Sequence, residues 1–346
     1  MTEVTRAPVV KLIERNLVWD NHGCMPIRPA DESFLPQLER YRASGVNVVT
    51  LNVAWDGMPR DSALLMLATL RRWVLERSAS YCLVETADDL MRAKDSGRLG
   101  VLFDIEGGNA LCGHLPLVQL YYDLGVRWML LAYNRGNDLA GGCLDDEDRG
   151  LTELGGRVID EMCRVGMIPC CSHTGPRSAR DIMARATLPV IYSHSNAAGL
   201  WPHPRNISDE ALRECARTGG VVGLNGYGAF LGPQGPSIAV ALDHVCYIAD
   251  LIGPEHVGLG LDYVFDSLEL IELIRSQPGY FPGAAGFGSE TTGLPPECIP
   301  DLVVGLLQRG WSEDYIAGLL GANLARVARL AWKIPLYRSP EVRTGA

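Results

Sequence analysis

Residues 99–107 read LGVLFDIEG, a short apolar run that closes on an acid and a glycine. An unalternated run of this length fits a strand covered on both faces, as in a parallel sheet, with the acid placed where the strand leaves the core. Seven more runs share this character: LVWDNH (17–22), VNVVTLNV (46–53), RWMLLAYN (127–134), MIPCCSH (167–173), PVIYSHS (189–195), GGVVGLNG (219–226) and HVGLGLDY (256–263). Between them lie segments of helical spacing that end near a glycine, among them SFLPQLERYRASG, TELGGRVIDEMCRVG, SDEALRECARTG and SIAVALDHVCYIADLIG. Eight strand–helix units predict an α/β protein of the closed (β/α)8 TIM-barrel type, with a doubly wound open sheet as the other architecture.

No internal repeat, low-complexity tract or charged linker interrupts the pattern, so residues 1–346 are expected to form a single domain. The Gly/Pro-rich stretch from Gln277 to Pro296 is expected to be a long loop over the barrel mouth, and SEDYIAGLLGANLARVARLAW to supply one or two closing helices. The formal charge is −10 with acids and bases interspersed, which argues against a nucleic-acid partner. The first twenty residues carry no uninterrupted apolar segment and no later run is long enough to span a bilayer; a cytoplasmic protein without a membrane partner is expected. Ten cysteines, several inside apolar runs as at Cys170 and Cys171, are expected to be reduced thiols.

The residues able to bind a metal cluster at the ends of the strand runs: His22, Glu106, His173, His194 and Asp262. In a barrel these ends converge on one mouth, so residues far apart in sequence can surround one ion. Imidazole and carboxylate together suit zinc or a similar divalent cation. A histidine at a strand end is by itself more often a hydrogen-bonded structural group, and the conjunction of five such residues carries the argument. Asp104, two residues before Glu106, shares its side of the strand and would point further down the barrel. His114, His203, His244 and His256 lie elsewhere and are assigned structural or surface roles. Ser172 and Ser193 each precede a histidine, but adjacent strand residues face opposite ways, so neither is expected to be positioned for activation by its neighbouring histidine. No G-x-S-x-G elbow is present, and GLGLDY lacks dinucleotide-binding glycine spacing.

In order and spacing, DNHGCMP (20–26), DIEGG (104–108), YNRGNDLAGGC (133–143), DRGLTELG (148–155), GMIPCCSH, PVIYSHS, PRNISDEAL (204–212) and IADLIGPEHVGLGLDYVFD (248–266) resemble the membrane (renal) dipeptidase family, zinc enzymes of the amidohydrolase-like barrel group. The resemblance spans most of the chain. It implies a binuclear zinc centre in which Glu106 bridges two ions, His173 and His194 complete the shell of one, and His22 belongs to the other. It further implies that Asp262 handles the proton and that Arg205 holds the substrate's free carboxylate. Tyr133 stands where animal members carry a histidine that steadies the tetrahedral intermediate. The activity implied is hydrolysis of dipeptides by metal-activated hydroxide, D-configured C-terminal residues included, in a homodimer.

One position departs from the family pattern. Its first motif is His-x-Asp, and here the residues are His22-Gly23-Cys24. A thiolate is a good zinc ligand, so Cys24 can replace the carboxylate; equally, it can be a small filler beside a one-metal site. The replacement leaves open a related hydrolase acting on a specialised amide, lactam or lactone, and a non-catalytic metal-binding barrel.

Overall fold

The strands form a closed ring of parallel pairs. In this computed structural model, residues 3–283, 287 and 292–338 are described. Strands β1 (Trp19–Cys24), β2 (Val48–Trp55), β3 (Tyr81–Leu83), β4 (Leu99–Glu106), β5 (Val126–Leu130), β6 (Ile168–Cys170), β7 (Val222–Leu224), β8 (Val257–Leu259) and β9 (Tyr263–Val264) belong to one sheet. The path runs β6-β5-β4-β2-β1-β8-β7. Isolated parallel bridges Cys170↔Ile191 and Tyr192↔Val222 carry the 189–195 run between β6 and β7 and complete the circle. The eight runs read from the sequence are the eight staves of the barrel, although 189–195 is held by single bridges and not by a continuous ladder.

The short β3, absent from the sequence reading, pairs with the lower part of β4 outside this ring. β9 continues the last stave beyond Asp262 and pairs with β1 at Gly23 and Cys24. The doubly wound alternative is excluded, because the two ends of that path, β6 and β7, are joined through Ile191 and Tyr192 and leave no open sheet edge.

Why these residues form this ring follows from their burial. Every residue of β2 and β4 is buried, since the barrel interior covers one face and helices such as Ser62–Glu76 cover the other. Polar groups inside pair with one another: Trp19 Nε1 donates to Thr50 Oγ1 at 3.0 Å, and Trp128 Nε1 to Asn21 Oδ1 at 3.2 Å, forming a layer beneath the mouth. The helices start and stop on local signals. Thr152 accepts from Gly155 N at the start of Glu153–Val165, and Gly166, at φ +94°, ends it.

One sequence expectation needs adjustment and another holds. The stretch from Gln277 does not follow the last strand directly, because helix Ser267–Ser276 intervenes; positions 284–286 and 288–291 of it lie outside the described residues. Residues 312–332 form helices Glu313–Ala317 and Asn323–Ala331 joined by a wider turn. All ten cysteines are unpaired. Among the described residues no helix is long and apolar enough to cross a membrane.

Candidate metal centre

Glu106 is the last residue of β4, and the next residue, Gly107, has φ +129°. A Cβ at Gly107 would lie 2.0 Å from Asp56 Oδ1, so only glycine fits here. Asp56 uses this close approach to tie the site together, accepting from Asn109 N at 3.0 Å, Tyr133 N at 3.1 Å and Asn137 Nδ2 at 2.8 Å. A shift in the β1–β2 register between Asp20 and Gly23 re-aims the end of β1, where His22 and Cys24 come to lie 3.5 Å apart, Nε2 to Sγ. Among the described residues five non-glycines have positive φ, and three of them, Asn134, His173 and Asp262, belong to this site.

The three histidines share one arrangement. His22 Nδ1 donates to Asp104 Oδ2 at 3.2 Å, His173 Nδ1 to Asn134 Oδ1 at 2.7 Å, and His194 Nδ1 to Ser193 Oγ at 2.8 Å. With Nδ1 of each ring committed to these partners, the three Nε2 atoms face inward. They surround one atom, Glu106 Oε1, at 3.7, 3.5 and 3.3 Å from His22, His173 and His194. That oxygen is buried and has no hydrogen-bond partner.

The Nε2 atoms of His173 and His194 stand 2.9 Å apart. Two lone pairs and a carboxylate oxygen at this spacing repel unless a cation or a proton lies among them. Zinc bonds of about 2.0–2.1 Å in a tetrahedral shell set ligand atoms about 3.3 Å apart, close to the edges of this triangle. The donor set thus fits a divalent metal. Among the described residues two triads have ligand atoms within 4.8 Å of one another: Glu106, His173 and His194, and His22, His194 and Asp262.

Cys24 adjoins the second triad, its Sγ 3.0 Å from Asp262 Oδ1. Asp262 Oδ1 is 3.5 Å from His22 Nε2, and its Oδ2 accepts from Asn225 Nδ2 at 3.0 Å. Burial pushes the Glu106 carboxyl up to about 8, against the opposing pull of the His22 charge. For His22 burial disfavours the charge, but Glu106 and Asp104 outweigh it and raise the ring well above its ordinary value. Burial and the charges of Arg205 and His22 hold His173 and His194 well below theirs, so both stay neutral.

Arg205 is buried beside His173, with Nη2 3.1 Å from His173 Nε2 and donating to His194 O at 3.3 Å; its Nε has no partner. Tyr133 stacks on His173 with ring centroids 4.1 Å apart. The structure therefore brings all eight sequence-selected residues, His22, Cys24, Glu106, Tyr133, His173, His194, Arg205 and Asp262, to one mouth. His244 and His256 bond backbone carbonyls elsewhere, whereas His203 Nδ1 accepts from Arg205 N at 3.1 Å and so borders the site.

The alternation expected at the serine–histidine pairs fails once: Ser193 does contact His194. Around 193 the chain is held by bridges, not by a regular strand, so alternation does not separate the two side chains. Ser193 is fully buried and meets the ring on the side away from Glu106, where it orients the imidazole. Asn134, Asn225 and Asp56 were missed, although each stands at or just past the C-terminal end of a strand run, the same signal that marked the metal-capable residues.

Comparison with known proteins places this geometry in a family. The profile of the membrane dipeptidase family (peptidase family M19) matches residues 36–335. An uncharacterised dipeptidase of Schizosaccharomyces pombe is 33% identical over 250 residues, 71% of this chain and 54% of its own length. A dipeptidase of Aspergillus oryzae is 34% identical over 236 residues, 67% of this chain and 51% of its own. The chain spans about half the length of these relatives. Among solved structures, an amidohydrolase from Pseudomonas aeruginosa superposes with a TM-score of 0.84 at 24% identity, covering 94% of this chain and 99% of that one. A metallopeptidase from Rhodobacter sphaeroides, liganded with a phosphinate mimic of L-Ala-D-Ala, gives 0.73 at 20% identity, covering 92% and 99%. By fold, by the order of its motifs and by the profile match, the chain belongs to the membrane dipeptidase family.

Proposed function

We propose that this chain is a zinc-dependent dipeptidase that cleaves the amide bond of dipeptides with a free C-terminal carboxylate, D-configured C-terminal residues included. The observation that carries the reading is the convergence of three inward-facing Nε2 atoms on the partnerless Glu106 Oε1. Glu106, His173 and His194 would hold one ion, and His22 and Cys24, sharing Glu106, a second. Zinc bound there lowers the pKa of water toward neutrality and polarises a carbonyl.

The chain's own groups do the rest. Arg205, with an uncommitted donor beside His173, orients the substrate carboxylate. Asp262 stands with one oxygen steadied by Asn225 and the other facing the cluster, so it accepts a proton from the attacking water and passes it to the leaving amine. Burial keeps Tyr133 protonated, able to donate toward the carbonyl oxygen as charge develops on it. Ten unpaired cysteines suit a reducing compartment, and a cytoplasmic site of action is part of the same proposal.

Cys24 favours one second reading, in which the same machinery opens a specialised amide, lactam or lactone. The test is release of free alanine from L-Ala-L-Ala and L-Ala-D-Ala by the zinc-loaded protein. Turnover that a chelator abolishes and zinc restores supports the dipeptidase; inertness toward both peptides, with cleavage of lactams or lactones, supports the second reading.

A further inference from the structure

Two cavities meet over Glu106, and they differ in size and walls. The larger, of 240 Å³, extends from Cys24 and Glu106 between Ile27, Trp55, Met58 and Leu273. The smaller, of 50 Å³, lies among His173, Tyr227, Phe230 and Phe281. They share Cys24, Glu106 and Tyr133 together with Val264 and Leu270, so a substrate lying across the site would place its amide at the junction beside Glu106 and one residue in each cavity. Resting on the dipeptidase reading above, we propose that the preferred substrates carry a large apolar side chain on the N-terminal residue and a small C-terminal residue.

Arg205 decides the orientation. It touches His173 at 3.1 Å and its guanidinium carbon lies 5.1 Å from the Phe230 ring centre. Both residues line the small cavity, and neither lines the large one. A carboxylate held by Arg205 therefore puts the C-terminal residue on the small side and turns the N-terminal residue toward the large one. Capacity follows from volume: an apolar cavity of about 150 Å³ takes a benzene ring. The 240 Å³ cavity accepts a phenyl or indole group, whereas 50 Å³ has room for little beyond a methyl.

The chemistry of the walls agrees. Ile27, Met58 and Leu273 offer aliphatic surface, Trp55 an aromatic face, and a thioether adapts to different ring shapes. The two acids on the rim do not invite a basic side chain, because Arg28 pairs with both, 2.7 Å from Asp266 and 2.6 Å from Glu269.

The test is steady-state kinetics of the zinc-loaded full chain on L-Phe-Gly, L-Trp-Gly, L-Ala-Gly, L-Lys-Gly and Gly-L-Phe. Transfer of an aromatic side chain from water into such a cavity predicts kcat/KM for Phe-Gly and Trp-Gly about 10–100-fold above Ala-Gly and Lys-Gly, with Gly-Phe below Phe-Gly by a similar factor. Leu273→Trp, which fills the large cavity, is expected to cut the Phe-Gly to Ala-Gly ratio at least ~5-fold, a ratio that is independent of how much active protein is recovered. Equal rates across the panel, a preference for Lys-Gly, or Gly-Phe favoured over Phe-Gly would overturn the cavity assignment and leave the dipeptidase reading standing. Failure to cleave any member would overturn both.

Discussion

Replacing Arg205 with methionine tests how the substrate is held. Arg205 is 2% exposed, and its Nε is buried without a partner while Nη2 donates to His194 O. A carboxylate meeting its planar edge gains two charge-assisted hydrogen bonds, each worth about 1.5 kcal/mol net. Their loss, about 3 kcal/mol, corresponds to roughly 150-fold in kcat/KM at 1.4 kcal/mol per decade. Methionine keeps much of the volume and brings no polar group of its own.

The assay compares Ala-Ala with its C-terminal amide, in the wild type and in Arg205→Met, as a double-mutant cycle. The wild type is expected to favour the free acid by about 150-fold, and the variant to lose most of that preference. If the variant slowed acid and amide by the same factor, Arg205 would act by steadying His173, 3.1 Å away, and the assignment as carboxylate holder would be wrong.

Further predictions concern the centre itself. In metal-free protein both Glu106 and His22 have raised folded-state values while His173 and His194 are lowered, so the native chain binds more protons than the unfolded one from 6.5, above which free imidazoles are neutral, to about 8. Stability should therefore fall as pH rises through that interval, and Glu106→Gln should flatten the decline in a series of thermal melts. Because the same groups must lose protons to bind metal, zinc uptake should release protons, measurable by calorimetry in buffers of different ionisation enthalpy; uptake without release would contradict the protonation states assigned here. Cobalt substitution reports on Cys24: a near-ultraviolet sulfur-to-metal charge-transfer band that disappears in Cys24→Ser marks a thiolate ligand, and its absence in the wild type marks a bystander. Gly107→Ala should cost about 3 kcal/mol in denaturant unfolding, through the positive φ and the collision with Asp56, and an unchanged midpoint would refute that account.

The barrel was legible because its staves are buried on both faces and so spell uninterrupted apolar runs; LGVLFDIEG and VNVVTLNV needed no alternation to be read. β3 was not, since a three-residue strand pairing outside the ring leaves no periodic signal. The ligand candidates stood out through residue type at strand ends. Their supports did not: Asn134, Asn225 and Asp56 are ordinary polar residues until the fold sets them against His173, Asp262 and the backbone of Tyr133. Ser193 was misjudged because strand alternation was applied where the chain makes only isolated bridges. The sizes of the two cavities depend on side chains from segments such as 25–27 and 267–277, which come together only in the folded chain.

The most direct test of the central claim is zinc content after equilibrium dialysis, measured in parallel on the wild type and Glu106→Gln. Glu106 Oε1 is the atom on which all three imidazoles converge, so the wild type should retain at least one equivalent and the variant should lose most of it, with dipeptide turnover following the metal. A wild-type chain that retains no zinc, or a Glu106→Gln variant that binds as much as the wild type, would contradict the account.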